Sequence, residues 1–149
     1  MGVAVFVVGH KNWGKSRTLS ALTDGLQRYV RMGLVEFFIR RMSNDDVPDK
    51  FYRLLEKVDP SETPNLILAF CPTFGKPQAR RSLEALRRKN YRLFFWVLRQ
   101  NYHRTKEITR DEIAILRQFG RTEVFESGQV EDSDRGRALR AFIQATVLA

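Results

Sequence analysis

Eight residues near the amino terminus constrain the fold more than any other feature of this 149-residue chain. The stretch Gly9–Ser16 reads GHKNWGKS and fits the pattern G-x-x-x-x-G-K-[ST]. It follows the apolar, β-branched run Val3–Val8, which is typical of a strand buried on both faces, and it precedes residues with helical apolar spacing. A strand, a glycine-containing loop and a helix in this order predict a loop that binds phosphate groups.

Each residue type in the motif has a physical reason. Gly9 and Gly14 let the backbone turn and approach phosphate groups, and backbone N–H groups at the start of the helix favour anions. Lys15, the candidate catalytic residue, is expected to reach the β- and γ-phosphates, and the Ser16 hydroxyl is expected to ligate Mg²⁺. The expected nucleotide site consists of Gly9, His10, Lys11, Asn12, Trp13, Gly14, Lys15, Ser16 and Arg17.

Two residues of the loop have two interpretations each. Trp13 either stacks on a base or sugar or packs against the protein. Lys11 either adds positive charge at the phosphates or is solvated. The sequence leaves both alternatives open.

An acidic residue is missing where enzymes with such a loop usually carry one. That acid lies at the end of a neighbouring strand and holds Mg²⁺ through water. No Asp or Glu occurs from Leu66 to Lys76, where the third expected strand ends. Asp45 and Asp46 follow the second expected strand, so they are the best substitutes as metal-associated residues. Alternatively, Asp46 only caps the next helix.

Apolar β-rich runs alternate with helical patterns along the whole chain, without a repeat or a linker. Strands are expected at Val3–Val8, Leu34–Ile39, Pro64–Phe70, Leu93–Leu98 and Glu123–Phe125. Helices are expected at Ser16–Val30, from about Pro48 to Val58, and at Pro77–Asn90, Thr109–Phe119 and Ser133–Thr146. This alternation predicts one domain over residues 1–149, of three-layer α/β class, with a mainly parallel five-stranded sheet and helices on both faces.

The net charge of +9 is concentrated on one expected helix. Lys76–Arg92 contains seven basic residues and one acidic residue. If Leu83 and Leu86 face the sheet, the helix carries its arginines on the outer arc. This stripe could bind a nucleic-acid backbone without reading its sequence, dock an acidic protein, or be a solvated face. Its candidate binding residues are Arg80, Arg81, Arg87, Arg88, Lys89 and Arg92.

Composition excludes several classes of protein. The single cysteine excludes an internal disulfide and a cysteine-rich zinc site. The two histidines are far apart in sequence, which argues against a histidine-based metal cluster. No run of about 18 apolar residues could span a membrane. The first residues lack the basic region and cleavage site of a secretory signal. A cytoplasmic location is therefore expected.

The motif and the C-terminal third of the chain resemble the ParA/MinD type of P-loop ATPases, which belong to the SIMIBI class. The similar stretches are Phe70–Thr73, Asn101–Ile113 and Phe119–Phe125, besides the first 20 residues. Phe70 stands where this family has a metal-associated Asp, and His10 stands where it has its signature lysine. The resemblance implies ATP-dependent homodimerisation and nonspecific DNA binding.

These observations predict a small ATP-binding protein, with Mg²⁺, that acts as a nucleotide-dependent switch and docks to a partner. ATP is favoured over GTP because the residues from Arg99 to Tyr102 do not match the guanine-reading pattern N/T-K-x-D. A small-molecule or nucleotide kinase is the alternative, with a phosphate-clamping lid formed by Arg99, His103, Arg104 and Lys106. A degenerate adaptor domain without turnover is the second alternative.

Overall fold

The computed structural model describes residues 1–149 and contains six strands and five α-helices. The strands are β1 (Gly2–Val8), β2 (Tyr29–Met32), β3 (Val35–Arg40), β4 (Asn65–Phe70), β5 (Tyr91–Leu98) and β6 (Arg121–Phe125). The helices are α1 (Lys15–Thr23), α2 (Pro48–Lys57), α3 (Pro77–Arg88), α4 (Arg110–Phe119) and α5 (Asp132–Phe142), and a π-helical turn, Ile143–Val147, continues α5.

The strands form one sheet in the order β2-β3-β4-β1-β5-β6. All neighbouring pairs are parallel except β2 and β3, which form an antiparallel hairpin. β1 lies between β4 and β5. After β1 the chain forms β2, β3 and β4 on one side of this strand, and it then crosses β1 to form β5 and β6 on the other side. Ligands of such sheets bind where the strand order reverses, beyond the carboxyl ends of the strands.

Helices cover both faces of the sheet. Connections between parallel strands are right-handed, so those that run towards opposite edges of the sheet place their helices on opposite faces. α1 packs against α5, and α2 packs against α3. Between these layers, the continuous apolar runs of β1, β4 and β5 are buried on both faces. Phe6 of β1 stacks on Phe95 with 5.1 Å between ring centroids and meets Phe70 edge-on at 5.4 Å. This aromatic cluster anchors the strand that carries the phosphate-loop motif.

The predicted helix over Ser16–Val30 is wrong in its second half. α1 ends at Thr23, because Asp24 adopts the left-handed conformation and Gly25 has a φ of 142°. The residues that follow form β2, which turns through Gly33, with a φ of 64°, into β3. The sheet therefore has six strands and not five.

Helix boundaries elsewhere follow the local signals. The predicted capping box of α4 is present: the Thr109 hydroxyl accepts from the Glu112 N–H, and the Glu112 carboxylate accepts from the Thr109 N–H. Pro48 occupies the first turn of α2 as expected, but Asp46 does not cap this helix. Its carboxylate accepts a hydrogen bond from the Ser43 N–H instead.

None of these helices combines the length and the apolar character that crossing a membrane requires.

Candidate phosphate-binding site

The motif folds into the predicted strand, loop and helix. Gly9 leaves β1 and donates a 3.1 Å hydrogen bond to the carbonyl oxygen of Phe70, which places the loop at the carboxyl edge of the sheet. Gly14 precedes α1 with a φ of 94°, a conformation that glycine adopts at little cost. The start of α1 is therefore oriented so that its first N–H groups can receive an anion.

Lys15 is held inside the loop and is only 7% exposed. Its Nζ donates to the carbonyl oxygens of Gly9, at 2.7 Å, and His10, at 3.1 Å. Asp45 Oδ1 lies 3.9 Å from Nζ. Burial lowers the pKa of Lys15, and the nearby Asp45 carboxylate offsets part of this effect. Oxygen atoms of a phosphate group could replace the two carbonyl oxygens as acceptors and pair with the charge.

A cleft of about 680 Å³, here called the loop cleft, opens beside the motif. It brings together most of the predicted site residues, from Lys11 to Arg17, with Asp46. Gly9 and His10 do not line it. It also contains residues that sequence analysis did not assign to the nucleotide site, namely Arg41, Asn101, Tyr102, His103, Glu131, Asp132 and Arg135. These come from the loops after β3, β5 and β6 and from the first turns of α5, so they share one edge of the sheet.

The two ambiguous loop residues have different environments. Trp13 is 5% exposed and meets the His10 ring edge-on at 5.1 Å, which favours the packing interpretation. Lys11 is exposed at the rim of the loop cleft, where it is free to approach a phosphate group.

Asp45 and Asp46 line different clefts. Asp46 lines the loop cleft together with Ser16, whereas Asp45 lines a second cleft on the other side of the loop. The Ser43 hydroxyl donates to Asp45 Oδ1, but Asp45 Oδ2 is buried without a hydrogen-bond partner. Asp45 thus keeps one oxygen whose capacity to accept a hydrogen bond is unused.

The residues at the loop cleft suit a Mg²⁺ ion that has few protein ligands and keeps most of its waters. No group of three His, Cys, Asp or Glu side chains is close enough to hold a metal ion. Ser16 is exposed in the loop cleft and Asp46 faces the same space. A Mg²⁺ that keeps several waters and takes phosphate oxygens fits this sparse donor set, since Mg²⁺ dehydrates reluctantly.

Asn44 was missed by sequence analysis. Its buried side chain donates from Nδ2 to the Cys71 carbonyl oxygen at 2.9 Å and accepts at Oδ1 from the Cys71 N–H at 2.7 Å. Nδ2 also lies 3.2 Å from Thr73 Oγ1. This pair of backbone contacts joins the loop that carries Asp45 and Asp46 to the end of β4. An Asn after a strand carries no signal that would have predicted this role.

Arg135 was also missed. It lies in the first turns of α5 and is 3% exposed. Nη1 donates to the Trp13 carbonyl oxygen at 3.0 Å and Nη2 donates to the Asp132 carboxylate at 2.6 Å, while Nε is buried without a partner. The guanidinium lies where a Cβ atom on Gly14 would point, 2.4 Å from Nη1. Only glycine therefore fits beside this arginine.

Two amide side chains after β5 are engaged within the protein. The Gln100 side chain accepts from the N–H groups of Ser127 and Gly128, which joins the ends of β5 and β6. Asn101 Oδ1 accepts from the N–H groups of Thr105 and Lys106. The adjacent exposed ring of Tyr102 is positioned by a 3.0 Å hydrogen bond to Glu131. The Tyr102 ring therefore borders the loop cleft, whereas the side-chain amides of Gln100 and Asn101 are already hydrogen-bonded within the protein.

The expected lid residues are only partly available. Arg99 pairs with Glu126, and the Arg104 side chain packs over Gly128. His103 and Lys106 are exposed. Of the four expected lid residues, His103 and Lys106 are thus the two whose side chains are not held by an ion pair or by packing over Gly128.

The basic helix lies on the sheet as expected, with Leu83 and Leu86 fully buried. Its cations divide into two groups. Lys89 donates to the last carbonyl oxygens of α2, including that of Leu55 at 2.8 Å. Arg87 donates to the Gln118 carbonyl oxygen and lies over the Phe119 ring. Arg92, which was expected to belong to the basic stripe of this helix, lies in β5 instead, over the Phe94 ring. The exposed side chains without such contacts are Arg80, Arg81 and Arg88.

Comparison with known proteins supports the fold. A de novo designed PLOOP2X3_50 fold protein, solved by solution NMR, aligns with a TM-score of 0.53 and 13% sequence identity, over 99% of this chain and 95% of that chain. At this identity the likeness concerns the fold alone. No protein-family model matches the chain, and no curated protein matches it significantly. The architecture is P-loop-like, and the resemblance to ParA/MinD-type ATPases stays an expectation.

Proposed function

We propose that this protein binds ATP with Mg²⁺ in the loop cleft and acts as a nucleotide-dependent switch. One observation carries the proposal: the buried Lys15 Nζ is held on two loop carbonyl oxygens at the start of α1, beside the cleft. A buried lysine that is not fully paired with an acid is suited to receive a polyanionic group.

Each residue has a defined role in this proposal. The N–H groups that follow Gly14 bind the phosphate groups, and Lys15 neutralises their charge. Ser16 and Asp46 would hold Mg²⁺, the former directly and the latter through water, and the ion would neutralise negative charge during phosphoryl transfer. Asp45 stays with Lys15 and keeps the amine oriented.

The loop after β5 offers no free amide oxygen for reading guanine. Guanine recognition requires a free side-chain amide and acid after β5, but the Asn101 Oδ1 acceptor is engaged by two backbone N–H groups. Tyr102 offers a flat surface for stacking, which does not discriminate by hydrogen bonding. We therefore expect ATP to bind more tightly than GTP, by a modest factor.

The contact between Asn44 and Cys71 suggests how occupancy could be transmitted. A Mg²⁺ ion that attracts Asp46 would pull the loop after β3, and Asn44 would carry this movement to the loop between β4 and α3. That loop leads into the helix with the exposed arginines Arg80, Arg81 and Arg88. These side chains support docking to nucleic acid or to an acidic protein. A nucleotide-dependent homodimer is the other output that the family resemblance implies.

Calorimetry tests the proposal directly. Wild type is expected to bind ATP with Mg²⁺ and to lose affinity without Mg²⁺, while Lys15→Ala abolishes binding at millimolar ATP. Lys50→Ala, which changes an exposed lysine of α2, is the matched control and is expected to bind like wild type. Equal binding by wild type and Lys15→Ala, or no binding by either, contradicts the proposal.

The two alternatives predict different results. A kinase releases ADP only when a phosphoryl acceptor is added, and Asp45 or Asp46 would then serve as its acid. An adaptor keeps its cellular function in the Lys15→Ala variant.

A further inference from the structure

The edge of the sheet that β2 forms carries a cluster of exposed apolar side chains. Of the seven large apolar or aromatic residues that are exposed, three lie in β2 or directly beside it: Leu26, Tyr29 and Leu34, which are 80%, 51% and 97% exposed. We call residues 26–34 the β2 edge. β6, the strand at the opposite edge of the sheet, exposes no such residue. Exposed apolar residues that cluster in this way mark a surface that binds another protein.

The backbone of β2 presents hydrogen-bonding groups away from the sheet. β2 is the last strand on its side and pairs only with β3. The Ile39 N–H donates to the Arg28 carbonyl oxygen at 2.7 Å, and Val30 faces β3 in the same way, because every second residue of an antiparallel strand does so. The N–H and C=O groups of Tyr29 and Arg31 therefore point outwards. A further extended chain can pair with a strand that offers such groups.

Contacts within the chain hold the β2 edge in place. Arg41 donates to the carbonyl oxygens of Gly25, at 2.9 Å, and Gln27, so the segment before β2 is fixed to the loop that follows β3. The Tyr29 ring meets the Phe38 ring edge-on, with 5.6 Å between the centroids. A surface that is ordered before it binds loses little conformational entropy on docking, so this edge is suited to form an interface.

One antiparallel register makes the β2 edge complementary to itself. When Val30 of one copy lies opposite Val30 of a second copy, Tyr29 lies opposite Arg31 on both sides of the two-fold axis. The outward backbone groups of Tyr29 and Arg31 then bond to each other. The same register brings Leu26 of one copy towards the turn of the other, which carries Leu34. Placing Arg31 on the axis instead would set like charges opposite each other, which is unfavourable.

The charges are compensated in this register. Within its own chain, Arg31 lies 3.8 Å from Glu36 of β3. In the paired sheet, the other side of the guanidinium lies beside the Tyr29 ring of the second copy, and the face of an aromatic ring attracts a cation. Each arginine thus lies between an acid and a ring. This complementarity requires the order of residues that β2 itself carries, so it favours a second copy of this chain as the partner.

We propose that the β2 edge is the interface of a homodimer, in which the β2 strands of two copies pair in antiparallel fashion and join the two sheets into one. The same residues meet on both sides of the two-fold axis, so the interface closes on itself. No residue of the β2 edge lines the loop cleft. The dimer therefore forms without nucleotide, unlike the homodimer that the family resemblance implies, and the inference does not rest on the proposed nucleotide binding.

Disulfide cross-linking tests the register. The two Val30 residues are expected to lie opposite each other at a Cα separation of about 4.5 Å, which permits a disulfide. Under mild oxidation, Val30→Cys should therefore form a covalent dimer faster than Arg31→Cys. Cys71, the single native cysteine, is buried and stays unreactive. Glu123→Cys, at the exposed opposite edge of the sheet, is the control and is expected not to cross-link. Faster cross-linking of either Arg31→Cys or Glu123→Cys than of Val30→Cys overturns the proposal.

Analytical ultracentrifugation without nucleotide measures the association. Wild type is expected to sediment with twice the mass of the 17.4 kDa chain, and Lys15→Ala should behave in the same way. Leu34→Glu changes a side chain that is free of the folded core, and we expect it to raise the Kd of the dimer about 10-fold or more. Lys50→Glu, on the exposed face of α2, is the control and should dimerise like wild type. A monomeric wild type, or a Leu34→Glu dimer as tight as wild type, contradicts the proposal.

A pair of charge variants separates strand pairing from damage to the hairpin. Tyr29→Glu and Tyr29→Lys both remove the ring from Phe38, but only the glutamate attracts Arg31 of the second copy. We expect the Kd of the Tyr29→Lys dimer to exceed that of Tyr29→Glu about 10-fold. Arg31→Gln keeps the backbone bonds, so alone it should raise the Kd by less than about threefold, and in its background the two Tyr29 variants should differ by less than about threefold.

Two outcomes of this comparison overturn the proposal. One is an undiminished difference between the Tyr29 variants in the Arg31→Gln background. The other is a dimer that forms only when ATP is added. Failure of wild type to bind ATP refutes the proposed function but leaves this inference standing, because the association is measured without nucleotide.

Discussion

Arg135 Nη1 donates a 3.0 Å hydrogen bond to the carbonyl oxygen of Trp13, a residue 122 positions earlier in the chain. The same guanidinium pairs with Asp132 and lies against Gly14. The first turns of α5 therefore support the loop between β1 and α1. This contact makes the shape of the loop depend on the last helix of the fold.

Arg135→Met is expected to destabilise the protein by about 1–3 kcal/mol, because it leaves the Trp13 carbonyl oxygen without a partner. ATP affinity should fall as well, since the loop loses its support. Urea unfolding and calorimetry measure the two effects. Arg137→Met is the matched control: Arg137 is 75% exposed and pairs only with Asp134 across one turn, so we expect a change within about 0.5 kcal/mol. Equal effects of both substitutions would show that the Trp13 contact is unimportant.

Gly14→Ala is expected to destabilise the protein by about 1–3 kcal/mol and to abolish ATP binding. A side chain is strained at a φ of 94°, and its Cβ would lie 2.4 Å from Arg135 Nη1. Gly75→Ala is the control, because no atom lies within 4 Å of the Cβ position there. Thermal unfolding of both variants is the measurement, and a stable, ATP-binding Gly14→Ala variant would contradict the structure of the loop.

The contribution of Glu112 should depend on pH. Its pKa in the folded protein is below the ordinary value of 4.5, so its ionised form stabilises the folded state above that pH. Wild type is expected to exceed Glu112→Gln in stability by about 1 kcal/mol near neutral pH. This difference should shrink as the pH falls below 4.5. Chemical unfolding at a series of pH values measures it, and a difference that grows with acidity would refute the expectation.

Lys89 is expected to stabilise the fold, although it lies within the basic stripe. Lys89→Met removes the donor that satisfies the carboxyl end of α2, so we expect a loss of about 1–2 kcal/mol in the free energy of unfolding. Arg88→Met, one residue earlier, should change it by less than about 0.5 kcal/mol. Urea unfolding compares the two, and the reverse ranking would be inconsistent with this structure.

The exposed arginines should account for any binding of nucleic acid. Replacing Arg80, Arg81 and Arg88 together by Gln is expected to abolish a gel shift of DNA or RNA at about 50 mM salt, and wild-type affinity should fall steeply as salt rises. Arg31→Gln, which changes an exposed arginine of β2, serves as the control. If wild type shows no shift at low salt, the stripe is not a nucleic-acid surface.

Local signals predicted most of the fold. The buried strand, the glycine loop and the helix around Lys15 are adjacent in sequence, and so are the Thr109 and Glu112 of the capping box. The hairpin of β2 was missed because Leu19, Leu22 and Leu26 continue a helical spacing through Asp24 and Gly25. Leu26 is in fact 80% exposed. The apolar periodicity predicted a helix that continues past Thr23, but the Asp24-Gly25 turn ends it there.

The sequence by itself determined that a loop with the pattern G-x-x-x-x-G-K-[ST] follows a buried strand and precedes a helix, because the whole motif lies within eight consecutive residues. Only the tertiary structure decided which distant side chains complete the site. Asn44 with Cys71, Arg135 with Trp13 and His10 with Glu112 meet because parallel strands bring the ends of separate segments to one edge of the sheet. Such pairs have no fixed spacing in sequence, so their geometry arises only when the sheet and its helices pack.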